Sequence, residues 1–149
     1  MLIEHILHAK GDEVVTVTPD TSVADAVGLL RDRNIGALVV TAVDDDRRVA
    51  GILSERDIVR ALGGDEDATG QVVHGPVEPL MTPTVATCTP GDSVDDVMRL
   101  MTDRRVRHVP VVDGDRLAGI VSIGDVVKSR IDELQTETDT LHEYLSSGR

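Results

Sequence analysis

Gly51-Ile52-Leu53-Ser54-Glu55-Arg56-Asp57 and Gly119-Ile120-Val121-Ser122-Ile123-Gly124-Asp125 write one pattern twice: glycine, two aliphatics, serine, two variable residues, aspartate. Working outward, Ala50 matches Ala118, Thr18-Pro19 matches Thr89-Pro90, Ser22-Val23 matches Ser93-Val94, and Asp32-Arg33 matches Asp103-Arg104. The lead-ins match as well, with Ile3-Glu4-His5-Ile6-Leu7 facing Val77-Glu78-Pro79-Leu80-Met81. A repeat that covers most of 149 residues is an architecture rather than a coincidence.

Each copy has the same local grammar. Val14–Val17 and Val85–Cys88 are β-prone runs ending at Thr-Pro. A helix capped by Ser22 or Ser93 follows, with apolar stripes Val23, Ala26, Val27, Leu30 and Val94, Val97, Met98, Met101. Next come two strands, Gly36–Val43 and Arg48–Leu53, around the Asp44-Asp45-Asp46 turn. Their counterparts are His108–Val112 and Arg116–Val121, around Asp113-Gly114-Asp115. A second helix begins at Ser54 or Ser122.

The fold class is α/β: two β-α-β-β-α repeats packed as an internal pseudo-twofold pair, with a long C-terminal helix. The expected divisions are 1–62 for the first repeat with its lead-in, 63–76 for a linker, 77–130 for the second repeat and 131–149 for the helix extension. The linker is rich in Gly and acid and reads as a solvated loop. In the extension, Ile131, Leu134, Thr138, Leu141 and Leu145 keep a 3-4 spacing, which covers this chain's core or meets a second chain.

Composition narrows the function. One Tyr and no Trp or Phe leave an aliphatic core and no aromatic platform for stacking bases. A net charge of −12 argues against nucleic acid as partner. No apolar run reaches membrane-spanning length, the N-terminus has no basic leader, and Cys88 is the single cysteine, so the chain reads as cytoplasmic. No phosphate loop of the Gly-rich type and no paired carboxylates in an acid–base setting are present, so no enzyme is expected. His5 and His8 lie three apart but lack further ligands for a metal, and Cys88 reads as a small buried apolar residue.

Ser-x-x-Asp is by itself a helix-start signal: the hydroxyl accepts from the N3 amide and the acid reaches back. An ordinary cap explains Ser22–Asp25 and Ser93–Asp96 well. Ser54–Asp57 and Ser122–Asp125 differ because each follows a buried strand, at the strand-to-helix corner where α/β sheets bind ligands. First-turn amides there attract a phosphate or hydroxyl oxygen, and a carboxylate one turn in can accept from both hydroxyls of a ribose.

These elements together, with Val77-Glu78-Pro79-Leu80-Met81-Thr82-Pro83 and Arg107-His108-Val109-Pro110-Val111, resemble the cystathionine β-synthase (CBS) domain; two tandem copies resemble a stand-alone Bateman module. The resemblance implies a regulatory module that binds AMP, ADP, ATP or NAD(H), with S-adenosylmethionine ranked behind, in clefts between the repeats and without a catalytic cofactor. It implies that Asp57 and Asp125 take ribose hydroxyls with Ser54 and Ser122 assisting. Thr16-Val17 and Thr87-Cys88 would lie along the adenine, and Arg107 and His108 would reach phosphate. The copies depart from each other: Gly36-Ala37 replace Arg107-His108, and Arg56 stands where the second copy has Gly124. The two sites should therefore differ in affinity. A homodimer and an effector protein of unspecified identity are the expected macromolecular partners. The alternative is an interaction scaffold with vestigial clefts, assembled through its last helix.

Overall fold

Five helices start at a side-chain oxygen that takes up an otherwise orphaned backbone amide. The computed structural model describes residues 1–148. In α2 (Val23–Arg33) and α5 (Val94–Arg104) the caps are Ser22 and Ser93, each accepting at 3.1 Å from the amide three residues on. Both helices end on a left-handed residue at matching places, Asn34 (φ 52°) and Arg105 (φ 55°). Arg105 thus ends a helix. The stripes Val23, Ala26, Leu30 and Val94, Val97, Met101 are buried as expected. Val27 is not: at 40% exposed it lies off the buried face, which in α2 is narrower than the spacing suggested.

The first copy builds a three-stranded sheet. β1 (Thr16–Val17) runs parallel to β2 (Ala37–Ala42), which pairs antiparallel with β3 (Asp45–Ser54). Leu38, Val39 and Val40 are fully buried, as a strand covered on both faces requires. The expected three-residue turn of aspartates shrinks to Val43-Asp44, and β3 begins at Asp45. Arg48 pairs with Asp44 at 3.0 Å across this hairpin.

The second copy builds the hairpin β4 (His108–Asp113) and β5 (Arg116–Ser122). Gly114 takes φ 63° in its turn. The strand expected over Val85–Cys88 contracts to one parallel bridge, Cys88 with Val111. Proline explains the loss. In β1, Thr16 pairs with Val39 and Val17 with Val40; Pro110 stands at the place of Val39 and has no N–H to donate to the ladder. Its carbonyl still accepts from Cys88 N at 3.0 Å.

The segment read as a loop contains α4 (Glu66–His74), which corrects that expectation. Asp65 caps it, Oδ1 accepting from Ala68 N at 2.8 Å, and Val72 packs against the core of the first copy. α3 (Glu55–Ala61) and α6 (Ile123–Ser147) follow the two repeated stretches, and α1 (Ile3–Lys10) carries the first lead-in. Past Val126 and Ser129, α6 turns its 3-4 stripe to solvent: Ile131 and Leu141 are 59% and 58% exposed.

The chain divides into two compact units that do not follow chain order. One holds Met1–Asp12, Ala86–Val111 and Gly119–Arg149; the other holds Glu13–Val85 and Val112–Ala118. Each lead-in therefore belongs with the opposite copy. In one unit Ile3 N donates to Asp92 O and Glu4 N to Pro90 O, both at 2.9 Å, and Ile3 is fully buried. In the other, Val77 N donates to Thr21 O at 2.9 Å, and Val77 is fully buried.

This exchange explains the repeated glycine. A Cβ on Gly119 would lie 2.6 Å from Leu7 Cδ2, and one on Gly51 would lie 2.7 Å from Met81 Sδ and 2.9 Å from Thr82 O. Leu7 and Met81 are matching lead-in residues, so each glycine opens the seat of a borrowed side chain. No helix among the described residues is long and apolar enough to cross a membrane.

Candidate functional site

The strand-to-helix corners are built as doubled capping boxes. At the end of β3, Asp57 Oδ2 accepts from Ser54 N at 2.9 Å and from Ser54 Oγ at 3.0 Å; Ser54 Oγ accepts from Asp57 N at 3.3 Å. At the end of β5, Asp125 Oδ2 accepts from Ser122 N at 2.8 Å, and Ser122 Oγ accepts from Asp125 N at 3.1 Å. Both carboxylates are half-buried and held by the backbone they cap. The two readings of Ser-x-x-Asp are compatible, since capping fixes the carboxylate that a diol would meet.

The other candidate residues gather copy by copy. Ala37 sits opposite Ser54 in the β2–β3 register, and Gly36 O accepts from Glu55 N at 3.0 Å. Thr16 and Val17 lie one strand further, on β1. Arg56 is exposed on the first turn of α3. In the second copy Arg107 O accepts from Ile123 N at 2.8 Å, the same bond at the matching place. Arg107 is exposed beside the Ser122 corner, and His108 begins β4 half-buried. Cys88 is joined to Pro110 by its amide, with Thr87 exposed before it.

One participant escaped the sequence reading. Lys10 Nζ lies 2.7 Å from Asp125 Oδ2 and 3.1 Å from Ile120 O. A cavity of about 320 Å3 opens there, lined by His5, Lys10, Asp125, Lys128, Ser129 and Asp132 among others. That volume is at the low end for small-molecule pockets, about 300–1,000 Å3. Burial pushes the Asp125 carboxyl up, but the Lys10 hydrogen bond, the Ser122 amide and the Lys10 charge outweigh it and hold the group below its ordinary range. Lys10 carried a signal of a kind: only two of the fifteen basic residues are lysine.

The sequence profile of the CBS domain matches residues 9–64 and again 77–132. The chain belongs to the CBS-domain family. Among solved structures it resembles the CBS-domain protein ATU1752 of Agrobacterium tumefaciens, with 44% identity, TM-score 0.79, and 87% of this chain and 92% of that one covered. It also resembles the CBS-domain protein PAE2072 of Pyrobaculum aerophilum, which was solved with AMP: 27% identity, TM-score 0.78, 93% of this chain and 99% of that one. A third is the CBS-domain pair of MJ0100, solved with 5′-methylthioadenosine and S-adenosyl-L-methionine: 27% identity, TM-score 0.75, 89% and 98% covered. The tandem CBS reading and the α/β class with a long last helix stand.

Other chemistry fares less well in this CBS pair. Burial and the nearby Asp92 push the Cys88 thiol up to about 12, so it is a neutral packing group at pH 7. His5 caps α1, its Nδ1 accepting from Leu2 N at 3.2 Å. Among the described residues no cluster of His, Cys, Asp and Glu is arranged to hold a metal ion.

Proposed function

We propose that this CBS pair is a non-catalytic sensor that binds an adenine nucleotide at its two Ser-x-x-Asp corners and responds by changing its affinity for a partner. The supporting observation is the likeness, over 93% of the chain, to a protein solved with AMP, joined to two rigid carboxylates at the ends of buried strands. Asp57 and Asp125 accept the ribose hydroxyls, Ser54 and Ser122 assist, and the β1 residues Thr16-Val17 and their counterparts Thr87-Cys88 flank the base. Arg107 and His108 serve the phosphate at the second corner; Gly36 and Ala37 leave the first without that charge, where Arg56 supplies it. AMP, ADP, ATP, NAD(H), methylthioadenosine and S-adenosylmethionine share adenine and a ribose diol. The groups beyond the diol therefore decide among them. We place this module in the cytoplasm.

Thermal unfolding against each of these ligands tests the reading. A ligand at 100 times its Kd that binds only the folded chain adds about 2.7 kcal/mol, on the order of 5–10 °C in Tm for a chain of this size. The shift should shrink in Asp57→Ala and in Asp125→Ala and vanish when both are changed. No shift with any ligand, from protein shown to be nucleotide-free, would sink the sensor reading.

The scaffold reading is favoured by one feature, the exposed stripe Ile131, Leu134, Leu141 and Leu145 on α6. Most helical stability in proteins comes from packing an amphipathic face rather than from propensity, and a second copy supplies an identical stripe. A homodimer through α6 is compatible with nucleotide binding. Leu134→Glu with Leu141→Glu should convert it to a monomer in sedimentation equilibrium while the ligand shift survives; an unchanged mass would remove α6 from the interface.

A further inference from the structure

Lys10 ends α1, and its ammonium contacts both the Asp125 carboxylate, at 2.7 Å, and the carbonyl of Ile120, at 3.1 Å. The same Oδ2 accepts from Ser122 N, so the cation holds the oxygen that caps α6. The two corners are not alike in this respect. Counted from the lead-ins, with Ile3 over Val77, the residue matching Lys10 is Thr84, which has no charge.

Residue type matters here. The chain has thirteen arginines and two lysines, Lys10 and Lys128, and both lysines line the cavity that contains Asp125. A guanidinium grips a carboxylate with two parallel bonds, whereas an ammonium is a point charge on a flexible stem that can turn to another anion. A hydroxyl pair that takes Asp125 through Oδ2 competes with this ammonium for the same oxygen. A neutral nucleoside gives nothing in exchange; a nucleotide offers a phosphate to the displaced lysine, with Lys128 on the same wall.

We propose that Lys10 determines ligand preference at the Asp125 corner: it holds the carboxylate against neutral diols and moves to the phosphate of an anionic ligand. This rests on the nucleotide reading above and extends it to one residue outside both repeated stretches. Lys10 is then a specificity residue, and the Asp57 corner, with Thr84 at the matching place, lacks this filter.

The test isolates the second corner with Asp57→Ala and measures adenosine and AMP by calorimetry, with and without Lys10→Met; Asp57→Asn serves if the alanine variant does not fold. With Lys10 present, AMP should bind about tenfold more tightly than adenosine, the value of one charge-assisted hydrogen bond. Lys10→Met should tighten adenosine about threefold by removing a partly exposed ion pair, weaken AMP, and bring the two affinities together. Lys10→Arg should keep adenosine weak but lose part of the preference for AMP, because a guanidinium that grips Asp125 with two bonds turns less readily to a phosphate. If Lys10→Met weakens both ligands equally, or leaves their ratio unchanged, Lys10 is only a structural brace and the proposal falls. If the unmodified chain binds AMP but neither Asp57→Ala form binds either ligand, the second corner is no nucleotide site and the proposal also falls, while the sensor reading stands. Silence from the unmodified chain as well is the failure of the sensor reading itself.

Discussion

Ile3→Ala is expected to lower the unfolding free energy by about 2–5 kcal/mol, the usual range for emptying a fully buried aliphatic site. Ile3 has no exposed surface, and its backbone is tied to Asp92 by a 2.9 Å hydrogen bond. The cavity would open in the unit that holds Met1–Asp12 and Ala86–Val111, far along the chain from the substitution. Denaturant titration should show the fall. Hydrogen exchange should show protection lost first over Ala86–Val111 rather than over Glu13–Val85. Val43→Ala, at a site 73% exposed, is the control and should change stability little. A loss under about 1 kcal/mol, or protection failing first over Glu13–Val85, would contradict the seating of the first lead-in.

Gly51→Ala should be the more damaging of the two glycine substitutions, at about 1–3 kcal/mol for overpacking. Both new methyls meet the end of a flexible side chain, Met81 or Leu7, which can turn aside. At Gly51 the methyl also meets Thr82 O at 2.9 Å, and that carbonyl accepts from Ile52 N while Thr82 N donates to Ile52 O. Backbone bound in that way moves only by breaking the pair. Adding Leu7→Ala should therefore relieve the strain of Gly119→Ala, whereas Met81→Ala should not relieve that of Gly51→Ala. Equal rescue in the two double variants would remove the distinction between side-chain and backbone crowding.

Much of this structure can be read locally because its signals are local. The serines at 22, 54, 93 and 122 cap helices where their spacing to aspartate says they should. The apolar run Leu38-Val39-Val40 is a buried strand. Where local signals compete, the more numerous one misleads. Over α4, Gly63, Gly64, Gly70 and Gly75 signal a loop, while the Asp65 cap and the apolar Val72 signal the helix that forms. The β-prone run Val85–Cys88 signals a strand, but Pro110 on the neighbouring strand has no N–H for it, and one bridge remains. Two features had no local signal. That Leu7 lies against Gly119 and Met81 against Gly51 is a fact of packing between distant segments. The pairing of Lys10 with Asp125 belongs to that packing too, so a residue that touches the second corner lies outside both motifs.

The borrowed lead-ins also set an order of events during synthesis. Glu13–Val85 carries nearly everything its own unit needs, with Met81 arriving at Gly51 soon after that strand is made. For α1 the timing is reversed, because Ile3 is tied to Asp92 and Leu7 lies against Gly119, both made long afterwards. At about 5–20 residues per second, Ile3, Ile6 and Leu7 stay uncovered on the order of ten seconds before the ribosome has delivered the surface that buries them.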